Sequence, residues 1–443
     1  MKFSRVWAVA LIMIGCAGGA VALDVPHSPH RAKATEKHLS EPHRAAGHHA
    51  AAAKAAQPAT KSTPAHARAT RSTSKAALGG QHARLTARGN ARANARRSAL
   101  TSRRHHSSER FTASSFASGD ILAGDITAGE DPVVRQAAID ALGGMNGTAV
   151  VIDPSNGRIL AMVNQKLALS PGAEPCSTIK LTVAMAALSE GLVTRDTPVK
   201  LAGFRMNMTQ ALAKSNNLYF EELGRELGFD RVRHYANQFG LGELAGYNIE
   251  GEQLGVYPDQ ELPAAEGGVG RMCSFGQGVS LTPLQLGAYV AALANGGTLY
   301  YLQHPTTPEE AANLTPKVKR TLDIARYVPE IEDGMAGAVE YGTARRLRAN
   351  FNELPVFGKT GTCSDKGTRF GWFASYSDSP QGSLVTVFFL EGGRPTFGPR
   401  AAELTGEFYK NLWNHDYFEA KGTVATSNAP ASSPLQGDLA AAQ

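Results

Sequence analysis

Ser177-Thr178-Ile179-Lys180 stands at the head of an apolar helical pattern made by Leu181, Val183, Ala184, Ala187 and Leu188. A serine and a lysine three residues apart share a helix face. A serine hydroxyl becomes a nucleophile beside a base, and a lysine can be that base once desolvation or a neighbouring cation lowers its pKa. The positive end of the helix would favour negative charge developing at Ser177. Alone the motif carries little weight, because Ser72-Thr73-Ser74-Lys75 repeats it in a tract with no apolar pattern. Ser215-Asn216-Asn217 is a polar trio within an apolar helical stretch, read by itself as a helix start or a kink. Lys359-Thr360-Gly361-Thr362 follows Phe357-Gly358 on a strand pattern. Lysine beside two hydroxyls suits a carboxylate, and a strand glycine lets another backbone approach closely. The plain reading of that stretch is an edge strand whose lysine discourages pairing.

The elements that must hold these groups follow from periodicity. Helical spacing predicts helices over Pro132–Leu142, Thr178–Glu190, Met208–Leu223, Phe229–Phe239, Pro283–Ala294 and Ala401–Trp413. Asp131 is placed to cap the first of them, with Pro132 at its first position. Strand patterns cover Thr148–Asp153 and Arg158–Val163, joined by the turn residues Pro154 to Gly157. They return over Val356–Thr362, Thr368–Tyr376 and Leu384–Leu390. Strands at both ends with helices between them exclude a repeating βαβ series. They predict an α+β fold: a central antiparallel sheet of about five strands whose first and last strands meet, flanking helices, and a helical subdomain.

Charge is divided unevenly along the 443 residues. The formal charge of +6 comes from residues 24–110, which hold 17 Lys/Arg, 4 Asp/Glu and ten of the 13 histidines. The remainder is mildly acidic, which excludes a basic nucleic-acid-binding globule. Residues 24–117 hold few large apolar side chains and are expected to be a disordered basic linker, with attraction to an acidic wall or membrane surface as its other reading. Residues 1–23 read as a leader: two positive charges, an apolar run from Val6, and Ala20-Val21-Ala22 as a cleavage site. Val6–Leu23 is also 18 residues without a charge, long enough to be kept as a membrane anchor. Either form exports the body, to the periplasm or the outer face of the cytoplasmic membrane. Residues 422–443 read as a second disordered tail, leaving 118–421 as one folded domain. Three cysteines beyond the leader exclude a disulfide scaffold. No metal-ligand spacing is present, and His234, His304 and His415 read as surface or core residues.

Taken in order, Ser-x-x-Lys, Ser-x-Asn and Lys-Thr-Gly make the chain resemble the penicillin-binding proteins, the D,D-transpeptidases of cell-wall synthesis, and their serine β-lactamase relatives. Ala149–Met162 looks like the opening hairpin of that domain, Tyr247–Gly255 and Ser274–Leu286 like its inner segments, and Gly371–Tyr376 like the strand beside Lys-Thr-Gly. The resemblance covers about residues 118–418. It implies that Ser177 attacks the carbonyl between two D-alanines of a peptidoglycan stem peptide and that Lys180 takes its proton. It further implies that Ser215 relays a proton to the leaving amine and that Asn217 holds the substrate amide. Lys359, Thr360 and Thr362 would receive the terminal carboxylate, with Gly361 giving clearance. The backbone N–H groups of Ser177 and Thr362 would form the oxyanion hole. A β-lactam would acylate Ser177 as a substrate mimic, and no metal or organic cofactor is needed.

The chain also departs from that pattern. Ser215 lies 38 residues after Ser177, which implies a trimmed helical lobe, and residues 24–117 are too polar for the folded pedestal common in the family. Cys176 stands where the family usually has glycine, and Cys363 follows Thr362 directly. Cys176, Cys273 and Cys363 are either buried thiols or, after export, include one disulfide whose pairing the sequence leaves open. Two other functions share the motifs. A β-lactamase would need a base that activates water, and no acidic residue stands in a context for that role: Glu250 and Glu252 lie in the transpeptidase-like segment. A penicillin sensor or wall-binding module would be acylated without turnover.

Overall fold

The structure is a computed structural model that describes residues 112–379, 381–394 and 396–419. The chain divides into two units, Met1–Arg96 and Arg97–Gln443, and the described residues belong to the second. The leader, the basic linker up to residue 111 and the 422–443 tail lie outside the described residues. Within them no helix is long and apolar enough to cross a membrane.

A five-stranded antiparallel sheet organises the domain. Its strands are β1 (Gly147–Asp153), β2 (Arg158–Val163), β3 (Val356–Asp365), β4 (Thr368–Ser377) and β5 (Leu384–Gly392), in the spatial order β2-β1-β5-β4-β3. The first and last strands meet as the pattern requires: Val150 pairs with Val387 and Ile152 with Val385. Alternation sends successive side chains to opposite faces. On one face Val150, Ile152, Trp372, Ala374, Val385 and Val387 pack into a helical lobe. On the other Ala149, Val151, Phe373, Phe388 and Leu390 pack under α1 (Pro132–Leu142) and the closing C-terminal helix, α9 (Gly398–Asn414). Asp131 caps α1, its carboxylate accepting from the Val133 and Val134 N–H groups at 3.0 and 3.1 Å.

The lobe contains α2 (Lys180–Ser189), α3 (Met208–Ala213), α4 (Asn217–Leu227), α5 (Phe229–Gln238), α6 (Gly268–Phe275), α7 (Pro283–Ala294) and α8 (Val328–Glu340). A single helix over Met208–Leu223 is corrected here to two. The chain breaks at Ser215, whose φ of 52° lies in the left-handed region. Asn216 then restarts the helix, its side chain accepting from the Tyr219 N–H at 3.0 Å. The ordered body also begins before residue 118. Thr112 N–H donates to the Arg394 carbonyl, Asn146 N–H to the Ser115 carbonyl and Ala117 N–H to the Gly144 carbonyl. Backbone pairing, invisible to a composition argument, holds that segment.

Candidate active site

Ser177 sits in a 3-10 turn, Cys176–Ile179, that leads directly into α2. The turn is clamped by glycines on two sides. A side chain at Gly361 would meet the Pro175 carbonyl oxygen at 2.8 Å, and one at Gly276 would meet the Pro175 ring at 2.6 Å. Only glycine permits these approaches, so β3 and the end of α6 press against the turn that carries Ser177. Trp372 Nε1 adds a hydrogen bond to the Glu174 carbonyl at 3.0 Å.

Around this turn the three motifs converge. Lys180 Nζ lies 2.7 Å from Ser177 Oγ, 2.6 Å from Asn217 Oδ1, 3.1 Å from the Ser215 carbonyl and 3.2 Å from Ser215 Oγ. Lys359 Nζ approaches the same Ser215 Oγ from the other side at 2.9 Å and donates to the Thr360 carbonyl at 2.9 Å. Ser215 thus stands between two amines, where the left-handed kink directs it. A straight helix over Met208–Leu223 would not stop there.

Burial sets the electrostatics. Lys180 and Lys359 are both fully buried, and neither has a carboxylate partner among the described ion pairs. Burial first, then the neighbouring Lys359 charge, pushes the Lys180 pKa well down, against a small opposing pull from Glu221. Burial alone brings Lys359 down to about 7. A neutral amine offers two N–H groups and one lone pair. At Lys180 the Asn217 Oδ1 and Ser215 carbonyl acceptors can take both N–H groups, which leaves the lone pair for the Ser177 hydroxyl. Phe220 covers the amine from below, with its ring centre 5.7 Å away. Glu174, half-buried at the rim, has its carboxyl pKa raised, first by burial and then by Asp365.

Thr360 and Thr362, two residues apart and so on one face of the strand, find different partners. Thr360 is buried and its Oγ1 lies 2.7 Å from Thr343 Oγ1. Thr362 is exposed and its Oγ1 accepts the Gly398 N–H at 2.9 Å, leaving its own proton free to donate. Thr343 and Gly398 gave no signal in the sequence, because each acts only through a contact with a distant strand. The cysteine question also resolves: Cys176 is bonded to Cys363, with Cα atoms 5.6 Å apart, and Cys273 is a buried free thiol. His304 is partly buried, its Nε2 2.9 Å from Glu130 Oε1. No group of His, Cys, Asp and Glu that could hold a metal ion occurs among the described residues. A cavity of about 640 Å³ lined by Tyr247, Gln303, His304 and Lys317 includes none of these motif residues. Chemistry rather than volume therefore marks the candidate site.

A hydroxyl hydrogen-bonded to a buried, depressed-pKa amine at the head of a helix, beside the edge strand of an antiparallel sheet, defines the class of serine–lysine acyl-transfer folds. Comparison with known proteins agrees. Residues 147–410 match the penicillin binding protein transpeptidase domain, and the chain belongs to that family. It is 27% identical over 316 residues to stage V sporulation protein D of Bacillus subtilis, covering 59% of this chain and 48% of that one. It is 25% identical over 348 residues to peptidoglycan D,D-transpeptidase MrdA of Acinetobacter baumannii, covering 61% of this chain and 51% of that one. The chain therefore spans about half the length of these relatives. The crystal structure of Pseudomonas aeruginosa PBP2 in complex with WCK 5153 shares the fold, with a TM-score of 0.56 and 24% identity, covering 66% of this chain and 77% of that one.

Proposed function

We propose that this protein is an exported serine D,D-transpeptidase or carboxypeptidase that acts on D-Ala-D-Ala stem peptides of peptidoglycan through a Ser177 acyl-enzyme. The observation that carries the reading is the 2.7 Å contact between Ser177 Oγ and a fully buried Lys180 amine. In this reading Lys180 accepts the Ser177 proton as Oγ attacks the carbonyl. Ser215, in contact with both amines, passes a proton to the departing D-alanine nitrogen. Asn217 keeps its Nδ2 free to hold the substrate amide while its Oδ1 orients Lys180. Lys359 and the free Thr362 proton receive the terminal carboxylate, and Thr360, tied to Thr343, stiffens the strand. Oxyanion stabilisation falls to the Ser177 and Thr362 N–H groups, a feature worth about 2.7–4 kcal/mol per donor.

The name of the Acinetobacter baumannii relative, a peptidoglycan D,D-transpeptidase, supports the substrate class. The Cys176–Cys363 disulfide supports an oxidising compartment, in keeping with residues 1–23 as a leader or membrane anchor and residues 24–111 as a basic tether near an acidic wall or membrane surface. Fluorescent penicillin should label the purified protein covalently, and Ser177→Ala should bring labelling to background. Labelling that survives the substitution would remove Ser177 as nucleophile. Release or exchange of D-alanine from a pentapeptide stem separates this enzyme from an acylated sensor. Rapid steady-state hydrolysis of a chromogenic cephalosporin would instead identify a β-lactamase.

A further inference from the structure

The Cys176–Cys363 bridge joins two residues that each flank a group of the proposed reaction. Cys176 precedes Ser177, and Cys363 follows Thr362. Their Cα atoms are 5.6 Å apart, and 187 residues of chain separate them. Consecutive Cα atoms lie 3.8 Å apart, so the Ser177 and Thr362 N–H groups are each within one residue of a covalent distance constraint. The other contacts across this seam are non-covalent: the close approach of Gly361 to the Pro175 carbonyl and the Trp372 bond to the Glu174 carbonyl.

Cys176 also holds an unusual backbone. Its φ is 52°, a left-handed conformation that a residue with a Cβ adopts only at a cost and that persists only where the surroundings enforce it. The residue is wholly buried, and no side-chain cap bonds its turn. The covalent link to β3 is one of the constraints on this turn, beside the close approaches of Gly361 and Gly276 to Pro175. Cys363 is only partly buried, so a small thiol reagent has an approach to the bridge from that side.

We infer that the Cys176–Cys363 disulfide is a positioning element for acylation, holding the Ser177 turn against the Thr362 end of β3 so that the oxidised protein is the acylation-competent form. This rests on the reading of Ser177 as nucleophile. Reduction by a dithiol breaks the S–S bond and forms two S–H groups while the reductant becomes a disulfide. The Cys176 backbone is then free to leave the left-handed region, and the two N–H donors lose their fixed spacing. Non-covalent binding of the β-lactam, which depends on Lys359 and Asn217, should change far less than the acylation step.

The test uses the full chain, oxidised or treated with dithiothreitol, with two released thiols verified by alkylation and mass, and folding verified by circular dichroism. Stopped-flow labelling with a fluorescent penicillin separates the limiting acylation rate from the half-saturating concentration. Reduction should lower the limiting rate on the order of 10- to 100-fold, the scale of a 1 Å misplacement, with little change in half-saturation, and reoxidation should restore it. A Cys176→Ser, Cys363→Ser double variant should show the low rate and ignore dithiothreitol. Should that variant fail to fold, Cys176→Gly with Cys363→Ser adopts the same φ without cost; it should be slower than oxidised wild type and also ignore dithiothreitol. A folded reduced protein, or either folded double variant, acylating at the oxidised wild-type rate would overturn the inference. Because oxidised wild type and Ser177→Ala are run alongside, failure of the nucleophile assignment would appear separately, as labelling that persists in Ser177→Ala.

Discussion

The two faces of the central sheet are packed to similar depth but by opposite rules. Under α1 and α9 the buried side chains are Ala137, Ala138, Leu142, Phe388, Phe408 and Leu412, and the nearby charge is matched: Arg135 lies 2.8 Å from both Asp125 and Glu130. On the other face, Lys180 and Lys359 are buried with the same sign of charge and share Ser215 Oγ as a neighbour. The first arrangement lowers the free energy of folding. The second raises it, because an amine removed from water without a counter-charge favours its neutral form. The proposed reactive cleft is thus the face on which burial, at a cost in stability, disfavours the charged form of its amines.

That contrast can be broken from either side. The largest effect is expected for Lys180→Ala, which removes the proposed proton acceptor: penicillin labelling should fall by at least about a thousand-fold, since groups that act as a unit fail together. A rate within ten-fold of wild type would show that the buried amine is structural. Next, Phe408→Ala on the outer face should cost about 3–5 kcal/mol by chemical denaturation while leaving the acylation rate of the folded protein unchanged. A matching loss of rate would mean that the two faces are not separable.

Lys359→Met should move stability the other way. With the folded pKa at about 7 against an ordinary 10.5, the wild-type lysine lowers stability by up to about 4 kcal/mol at neutral pH. That penalty is fully present below pH 7 and fades as the pH rises to about 10.5, so the advantage of Lys359→Met should shrink over that window. A gap independent of pH would assign the gain to packing alone. The same variant removes the positive neighbour of Lys180, so the acid limb of its residual acylation profile should move to higher pH. The smallest effect belongs to the outer face again: Asp131→Ala, which removes the cap of α1, should cost about 1 kcal/mol and leave labelling intact.

Some elements were legible because their signal is local. Pro283–Ala294 forms over the span its apolar run predicts, and Thr282 with Gln285 closes a capping box at its start. The hairpin of β1 and β2 likewise follows its short apolar runs and the turn residues between them. The helices α6 and α8 went unread because glycines interrupt them. Those of α8 answer to tertiary contacts: a side chain at Gly334 would meet Leu212 of α3 at 2.7 Å, and one at Gly337 would meet Ala213 of α3 at 3.1 Å. The break at Ser215 was only half legible: the polar trio reads as a helix start or a kink, but no glycine or proline marks the position, and its left-handed backbone is imposed by what surrounds it. The edge strand shows the same division. Its Lys-Thr-Gly-Thr stretch was visible, but not that Thr360 would turn to Thr343 and Thr362 to Gly398.

By itself the sequence determined which groups are available and on what kind of element each one sits, because hydroxyls, amines and the 2.0 and 3.6 periodicities are properties of neighbouring residues. Tertiary structure alone decided how deeply the two amines are buried, which cysteine partners Cys176, and that Ser215 stands between Lys180 and Lys359. Desolvation and proximity are fixed by segments up to 187 residues away, and no local pattern encodes them.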